Sequence, residues 1–420
     1  MRKKVLLKGP VLTRSGYGEQ ARFALRSLRS REDLFDIHIQ PLQWGQTSWI
    51  SLLDEEREWI DQNIEKTIAY IQSGGQYDIS VQVTIPNEWE KIAKVNVGYT
   101  AGIETTRVAP LWLQKGNEAV DNIIVVSNHS KNVYLNTTAT ATDTRTNVQI
   151  PEYRLETPIE VVNYPTKKYD NLPSVELGMS TEFNFLTCAQ FGPRKNLPNT
   201  IKWFVEEFVD NDDVGLVVKS NIAKNCLLDR EKMFMDLKAF VAQLPEHKCK
   251  IYLLHGDMTD EEMHSLYKHE KISAFLALPH GEGYGLPIFE AAYSGLPVVS
   301  VVWSGQSDYL IHDKKTMCYE VSYDLNSVQP EVVWENVLIA ESAWAFAREQ
   351  SAKEKMRLCY DDIINNVEGS IASKSAEYAE VLHDNFSEDK LYSQFVECVY
   401  PIEEIEKMNS EVDELLADLL

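Results

Sequence analysis

Twice along this chain, short β-branched runs alternate with longer amphipathic stretches, and that rhythm admits few folds. In the first half, residues 5–7, 35–39, 78–83, 94–100 and 122–126 read as strands. Between them, residues 18–28 gather Ala21, Phe23, Ala24, Leu25 and Leu28 on one helical face, and residues 54–71 open with acids that suit the positive end of a helix. Apolar strands separated by helices build a parallel sheet covered on both faces. The second half repeats the theme with strands at 184–189, 214–219, 250–254, 274–278 and 297–301. A stretch rich in Pro, Asn and Lys, residues 163–173, separates the halves. From Glu331 onward the sequence reads as helical, with Trp334, Trp344, Met356 and Leu358 as buried anchors. The acidic segment from Glu403 to Leu420 either docks on the first half or stays solvated. The expected fold is α/β: two doubly wound, Rossmann-like domains facing a cleft, residues 1–170 and 171–365, with a helical segment 366–420 packing back on the first.

Charge narrows the partners. Lys and Arg number 41 against 64 Asp and Glu, a formal charge of -23, so the long-range field repels phosphate backbones and anionic lipid. Nucleic acid is not an expected partner, and any anionic ligand needs a local basic spot. Lys8 and Gly9 stop the apolar run at the N-terminus short of a secretion signal, and no window approaches the roughly 20 apolar residues of a membrane span. Six scattered cysteines without a Cys-x-x-Cys pair read as reduced thiols, so a cytoplasmic location is expected.

The segment that carries chemistry runs from Leu278 to Val299, LPHGEGYGLPIFEAAYSGLPVV, from a strand end through a glycine-rich loop into a short helix. Pro287 fits the first helical turn, which leaves the N–H donors of Gly283, Tyr284, Gly285 and Leu286 aimed at the crevice as an anion site. A plain turn accounts for the glycines alone. Glu282 and Glu290 tilt the balance, because carboxylates beside so apolar a helix are costly without polar partners, and a polyhydroxylated ligand supplies them.

This segment resembles the retaining group 1 glycosyltransferases of GT-B architecture, whose hallmark is Glu-x7-Glu within a Gly-Glu-Gly-aromatic-Gly-Leu-Pro block; Glu282 and Glu290 match it. The resemblance extends to residues 303–310 and 255–263, and to 97–104 with Pro110 and Trp112 and to 126–131 in the first domain. It implies a nucleotide-sugar donor on the second domain, a glycan or other hydroxyl acceptor on the first, and transfer in the cleft. Glu290 then holds the ribose hydroxyls, while Glu282 and the loop amides grip the donor sugar. Arg194 and Lys195, at a strand end beside a switch point, meet the diphosphate. Where the family carries Arg, this chain has Gln190, a neutral donor, so Arg194 or Lys219 takes over phosphate binding. Gly16 and Gly18 open a first-domain helix toward the phosphates. His280 faces the transferred sugar, and Glu104 and Thr105 face the acceptor. For His280 a loop histidine bonded to backbone is an equal alternative, and for Glu104 and Thr105 a helix cap is.

Asp210-Asn-Asp212 spells a metal motif of another glycosyltransferase fold, but between a helix and a strand it reads as a turn. No metal site and no cofactor are expected, the donor being a substrate. Fold does not fix reaction, so a catalytically silent sugar-nucleotide or glycan binder, or a nucleotide-sugar hydrolase or epimerase, stands as the alternative.

Overall fold

Six parallel strands form the first sheet, in the spatial order Phe35–Pro41, Lys3–Gly9, Tyr77–Val83, Ala93–Thr100, Asn122–Val125, Ile159–Val161. Six more form the second, in the order Lys250–Leu254, Val214–Lys219, Phe183–Cys188, Ile272–Ala277, Val298–Val301, Tyr319–Val321. The structure, a computed structural model, describes residues 2–142 and 145–401; the acidic segment from Glu403 lies outside them. Because every strand in a sheet runs the same way, the loops that leave the strands collect at one edge, and the two edges face each other.

Local sequence explains the elements. Ser15 caps the helix Gly16–Arg29 by accepting from the Gly18 N–H at 2.9 Å, and Asp54 caps Glu55–Gln72 by accepting from the Arg57 N–H. No regular structure spans residues 162–182, where Pro165 and Pro173 fall. One apolar core runs through both sheets, joining Val81 and Tyr99 of the first to Leu186, Phe275 and Phe289 of the second. The chain then returns: helix Glu388–Val399 sets Phe395 edge-on to Phe23, ring centroids 5.6 Å apart.

One expectation is corrected. Residues 331–348 are not helical. A 3₁₀ turn at Pro330–Val332 and a tight turn closed by paired Trp334 and Leu338 backbones, with Asn336 left-handed at φ 59°, lead into strand Ala343–Ala347, which pairs with Tyr323–Ser327. Alternating Ala-Trp-Ala-Phe-Ala suits a strand, and helix begins only at Glu349–Ile364. Trp344 and Met356 are buried as expected, but Trp334 is 62% exposed and Leu358 44% exposed.

Candidate active site

In the second sheet the direction of strand order reverses between Phe183–Cys188 and Ile272–Ala277. The loops leaving those strands, 189–196 and 278–285, part from each other and open a crevice. Pro193–Lys195 is a single 3₁₀ turn, and left-handed Asn196 (φ 54°) starts the helix behind it. Asn196 Nδ2 donates to the Leu278 carbonyl at 3.0 Å, which ties the two loops together.

Four charged groups meet there. Lys195 Nζ lies 2.6 Å from Glu282 Oε1, Arg194 Nη1 2.8 Å from Glu282 Oε2, and Arg194 Nη2 3.0 Å from Glu104 Oε1, which comes from the first domain. Arg194 Nη1 also donates to the Gly281 carbonyl at 2.7 Å. Glu282 is only 6% exposed. Burial opposes its ionisation, but Arg194 and then Lys195 overcome that and hold the carboxyl below its ordinary range. Glu104 ends on the other side: burial raises it, and the nearby Glu282 adds to the rise against the pull of Arg194. Burial and the neighbouring Arg194 lower Lys195 despite its carboxylate partner. The cluster is therefore a densely charged, partly exposed site built around one buried carboxylate, whose ionisations are coupled.

The glycine-rich loop fits the opposite domain closely. A Cβ on Gly281 would fall 2.0 Å from the Glu104 carbonyl oxygen, and one on Gly283 would fall 1.8 Å from that of Ala101. Ser127 of the first domain donates to the Gly283 carbonyl at 2.8 Å. Gly285, at φ 88°, turns the chain into helix Leu286–Tyr293. Among the described residues no acceptor takes the backbone N–H groups of Gly283, Tyr284, Gly285 or Leu286, although the first three residues are buried. Unpaired buried donors at a helix start suit a ligand oxygen. The Tyr284 ring itself packs among Tyr164, Phe289 and Tyr309, so this residue offers the crevice its main chain.

Glu290, one turn into that helix, accepts from the Tyr267 hydroxyl at 2.9 Å. Burial pushes its carboxyl up to about 7, with Lys167 pulling the other way. Lys167, in the inter-domain segment, sits 2.7 Å from both Glu19 and Asp260 and lines a small cavity with Glu290, Arg26 and Tyr293.

The other residues singled out in the sequence take no part in the ion cluster. Gln190 is exposed, and its amide donates to the Ile222 carbonyl at 2.9 Å. Lys219 Nζ is spent on the Gly256 carbonyl at 2.6 Å. The Gly18 N–H is taken by Ser15, while Gly16 borders open space. Thr105 closes a local turn through the Arg107 carbonyl. His280 is buried, its ring lying over Trp344 with Nδ1 2.7 Å from the Ala345 carbonyl, so Nδ1 carries the proton and Nε2 is free to accept. Burial lowers its pKa. Asp210 lies in an exposed turn beyond helix Leu197–Glu207. Among the described residues no group of His, Cys, Asp and Glu is arranged to hold a metal ion.

Sequence reasoning missed Tyr267, Lys167, and Ser304, whose hydroxyl accepts from the Glu282 N–H at 2.9 Å. Tyr267 and Lys167 carry no local signal, since each reaches the site through a contact distant in sequence; Ser304 falls in the 303–310 stretch of the resemblance, which assigns it no role.

Comparison with known proteins agrees with the resemblance. Residues 177–327, the segment that builds the crevice, match the family model described as glycosyl transferases group 1. No curated protein matches by sequence. Among solved structures, Anabaena HepE in complex with UDP and glucose is similar at TM-score 0.58 and 13% identity, over 94% of this chain and 99% of that one. Sucrose-phosphate synthase from Thermosynechococcus elongatus is similar at 0.57 and 12%, over 99% and 100%. A glycosyltransferase from Rickettsia africae is similar at 0.57 and 14%, over 94% and 97%. These likenesses identify the fold, which is GT-B: two Rossmann-like parallel sheets and a helical C-terminal segment.

Proposed function

We infer that the protein is a retaining glycosyltransferase that moves a sugar from a nucleotide sugar to a hydroxyl acceptor without a metal ion. The observation that carries this reading is the buried Glu282 held between Arg194 and Lys195 at the switch point, inside the segment that matches the family. On this reading the diphosphate takes Arg194, Lys195 and the free N–H groups after Glu282 as partners, which stabilises the negative charge growing on it. Glu282 then grips hydroxyls of the donor sugar, and Glu290 accepts from the ribose. The bond from the anomeric carbon to the phosphate oxygen breaks, and the acceptor oxygen bonds to that carbon on the same face. The acceptor proton passes to the departing phosphate oxygen, giving a nucleoside diphosphate and a glycoside. Glu104 lies on the acceptor's side. His280 Nε2 is placed to accept from a sugar hydroxyl.

HepE is described with UDP-glucose, which makes UDP sugars the first donors to try. The test is thermal shift with a set of nucleotide sugars, followed by nucleotide release with and without sugar acceptors. Release that depends on acceptor supports transfer. Release without acceptor indicates a hydrolase, and a thermal shift without release indicates a silent binder; either outcome sinks the reading. Activity that survives EDTA supports metal independence, and loss restored by Mg²⁺ turns attention to Asp210 and Asp212. All six cysteines are free thiols, which suits a cytoplasmic protein. No described helix is long and apolar enough to cross a membrane.

A further inference from the structure

The strand Ala343–Ala347 belongs to the second domain by connectivity, yet it is used by both. One edge pairs with Tyr323–Ser327, with Ala343 opposite Ser327 and Ala345 opposite Leu325. In an antiparallel pair, alternate residues turn their backbone groups outward, and an outward edge needs partners. Ala345 finds its partner in the catalytic loop: its N–H donates to the His280 carbonyl at 2.8 Å, and its carbonyl meets His280 Nδ1 at 2.7 Å. Ala343 finds its partner across the cleft. The Thr106 N–H donates to the Ala343 carbonyl at 2.9 Å, and the Ala343 N–H donates to Thr106 Oγ1 at 2.9 Å. The His280 N–H in turn donates to the Arg194 carbonyl at 2.8 Å.

The result is a continuous hydrogen-bonded path from Thr106 through Ala343 and Ala345 to His280 and Arg194. Thr106 lies two residues after Glu104, the first-domain carboxylate that closes on Arg194 at 3.0 Å. A second anchor steadies the same bridge, because Asn87 Nδ2 donates to the Asn336 carbonyl, and Val337 and Ile339 pack on the first-domain cluster of Trp89, Ile103 and Trp112. The geometry points to an inter-domain clamp in which Thr106 is a positioning residue: by capping the shared strand it fixes Glu104 against Arg194 and sets the closed cleft for the reaction. Thr106 touches neither the ion cluster nor the reacting atoms in this arrangement.

This inference rests on the transferase reading for its link to catalysis, and its test has an arm that does not. Thr106→Val keeps shape and removes the acceptor oxygen, whereas Thr106→Ser keeps the oxygen. Hydrogen exchange followed by mass spectrometry on the full chain reads the Ala343 and Ala345 amides directly. The expected result is faster exchange at 343–345 in the Val variant alone. Its kcat should fall about tenfold, as a misplaced group near reacting atoms does, while the nucleotide-sugar Kd stays within about twofold. The Ser variant should restore both readouts. Unchanged exchange overturns the clamp. Faster exchange with unchanged kcat overturns its role in positioning. A loss of kcat that follows a lowered Tm and is not restored by Ser reduces Thr106 to a stabilising contact and overturns it too. If the unaltered protein transfers no sugar from any donor tried, the transferase reading falls, and the exchange arm still decides the clamp.

Discussion

The two sheets each hold six parallel strands, in different spatial orders, and they differ most in what they leave unpaired at the cleft. In the first, the loop after Lys3–Gly9 satisfies itself: Ser15 takes the Gly18 N–H, Thr13 donates to the Pro10 carbonyl, and Arg22 donates to the carbonyls of Val11 and Thr13. In the second, the glycine-rich loop after Ile272–Ala277 leaves buried N–H groups free, and the turn after Phe183–Cys188 sets two cations on a buried carboxylate. Two parallel-sheet domains thus carry unequal chemistry, because a ligand site needs groups the protein itself does not satisfy. The first domain supplies a fitted wall and one carboxylate; the second supplies the charge.

The largest effect that tests this contrast should come from Lys195→Ala. Removing the cation nearest Glu282 should lower turnover on the order of 10²-fold, the usual scale for losing one preorganised partner of a developing charge. The first-domain counterpart, Ser15→Ala, should change turnover little and lower stability by about 1 kcal/mol, a cap's worth. Steady-state kinetics beside chemical denaturation of both variants decides it, and equal losses of activity would erase the contrast. Glu282→Gln should come next. On the proposed reading it should cut turnover more than donor affinity, because there its contact would be with the sugar that distorts on the way to products. Titration calorimetry of the variant against a nucleotide sugar, compared with its kcat, reads the split.

Glu290 gives a smaller effect with a definite sign. Its carboxyl is raised in the folded state to about 7, so the unliganded fold gains from the protonated form. The stability this contributes is full below the unfolded pKa near 4.5 and is lost as pH rises through about 7. Glu290→Gln should flatten that part of the Tm profile between pH 5 and pH 8, and a slope identical to the parent's would refute the assignment. Donor affinity should rise over the same interval in the parent, since ribose hydroxyls donate to a carboxylate. Glu290→Ala should weaken donor binding by about tenfold, the scale of one charge-assisted hydrogen bond. The smallest effect belongs to Gln190→Arg. Position 190 is exposed and already bonded to the Ile222 carbonyl, and Arg194 and Lys195 repel a third cation, so the gain in donor affinity should stay within about threefold. A gain of tenfold or more, measured by the same calorimetry, would show that the diphosphate reaches further along this loop.

The central strands of both sheets were legible because they are short apolar runs buried on both faces, a pattern that survives without knowledge of neighbours, whereas short strands such as Ile159–Val161 and Tyr319–Val321 gave no such run. The 331–348 segment was not legible as a helix or a loop from composition: its tryptophans looked like core, but Pro330 and left-handed Asn336 break any helix, and one Trp faces solvent. Within the site, Glu282, Arg194 and Lys195 were readable from a motif and from strand ends. Gln190, Lys219 and Thr105 were read from position along the chain, and their side chains satisfy nearby carbonyls instead. Lys167 and Thr106 act through partners that lie 93 and 237 residues away, as the Lys167 bond to Asp260 and the Thr106 bond to Ala343 show. Contacts of that span leave no trace in local pattern.

The near-contact of Gly281 and Gly283 with the first-domain carbonyls has a mechanical meaning. Clearances of this kind make the cleft behave like a door with no gap at the jamb: the loop tolerates a change of charge nearby better than the addition of one methyl group. A methyl at position 283 is a wedge. On the proposed reading such a protein should keep both halves folded yet stand ajar, so that a bound donor would not meet the first-domain wall.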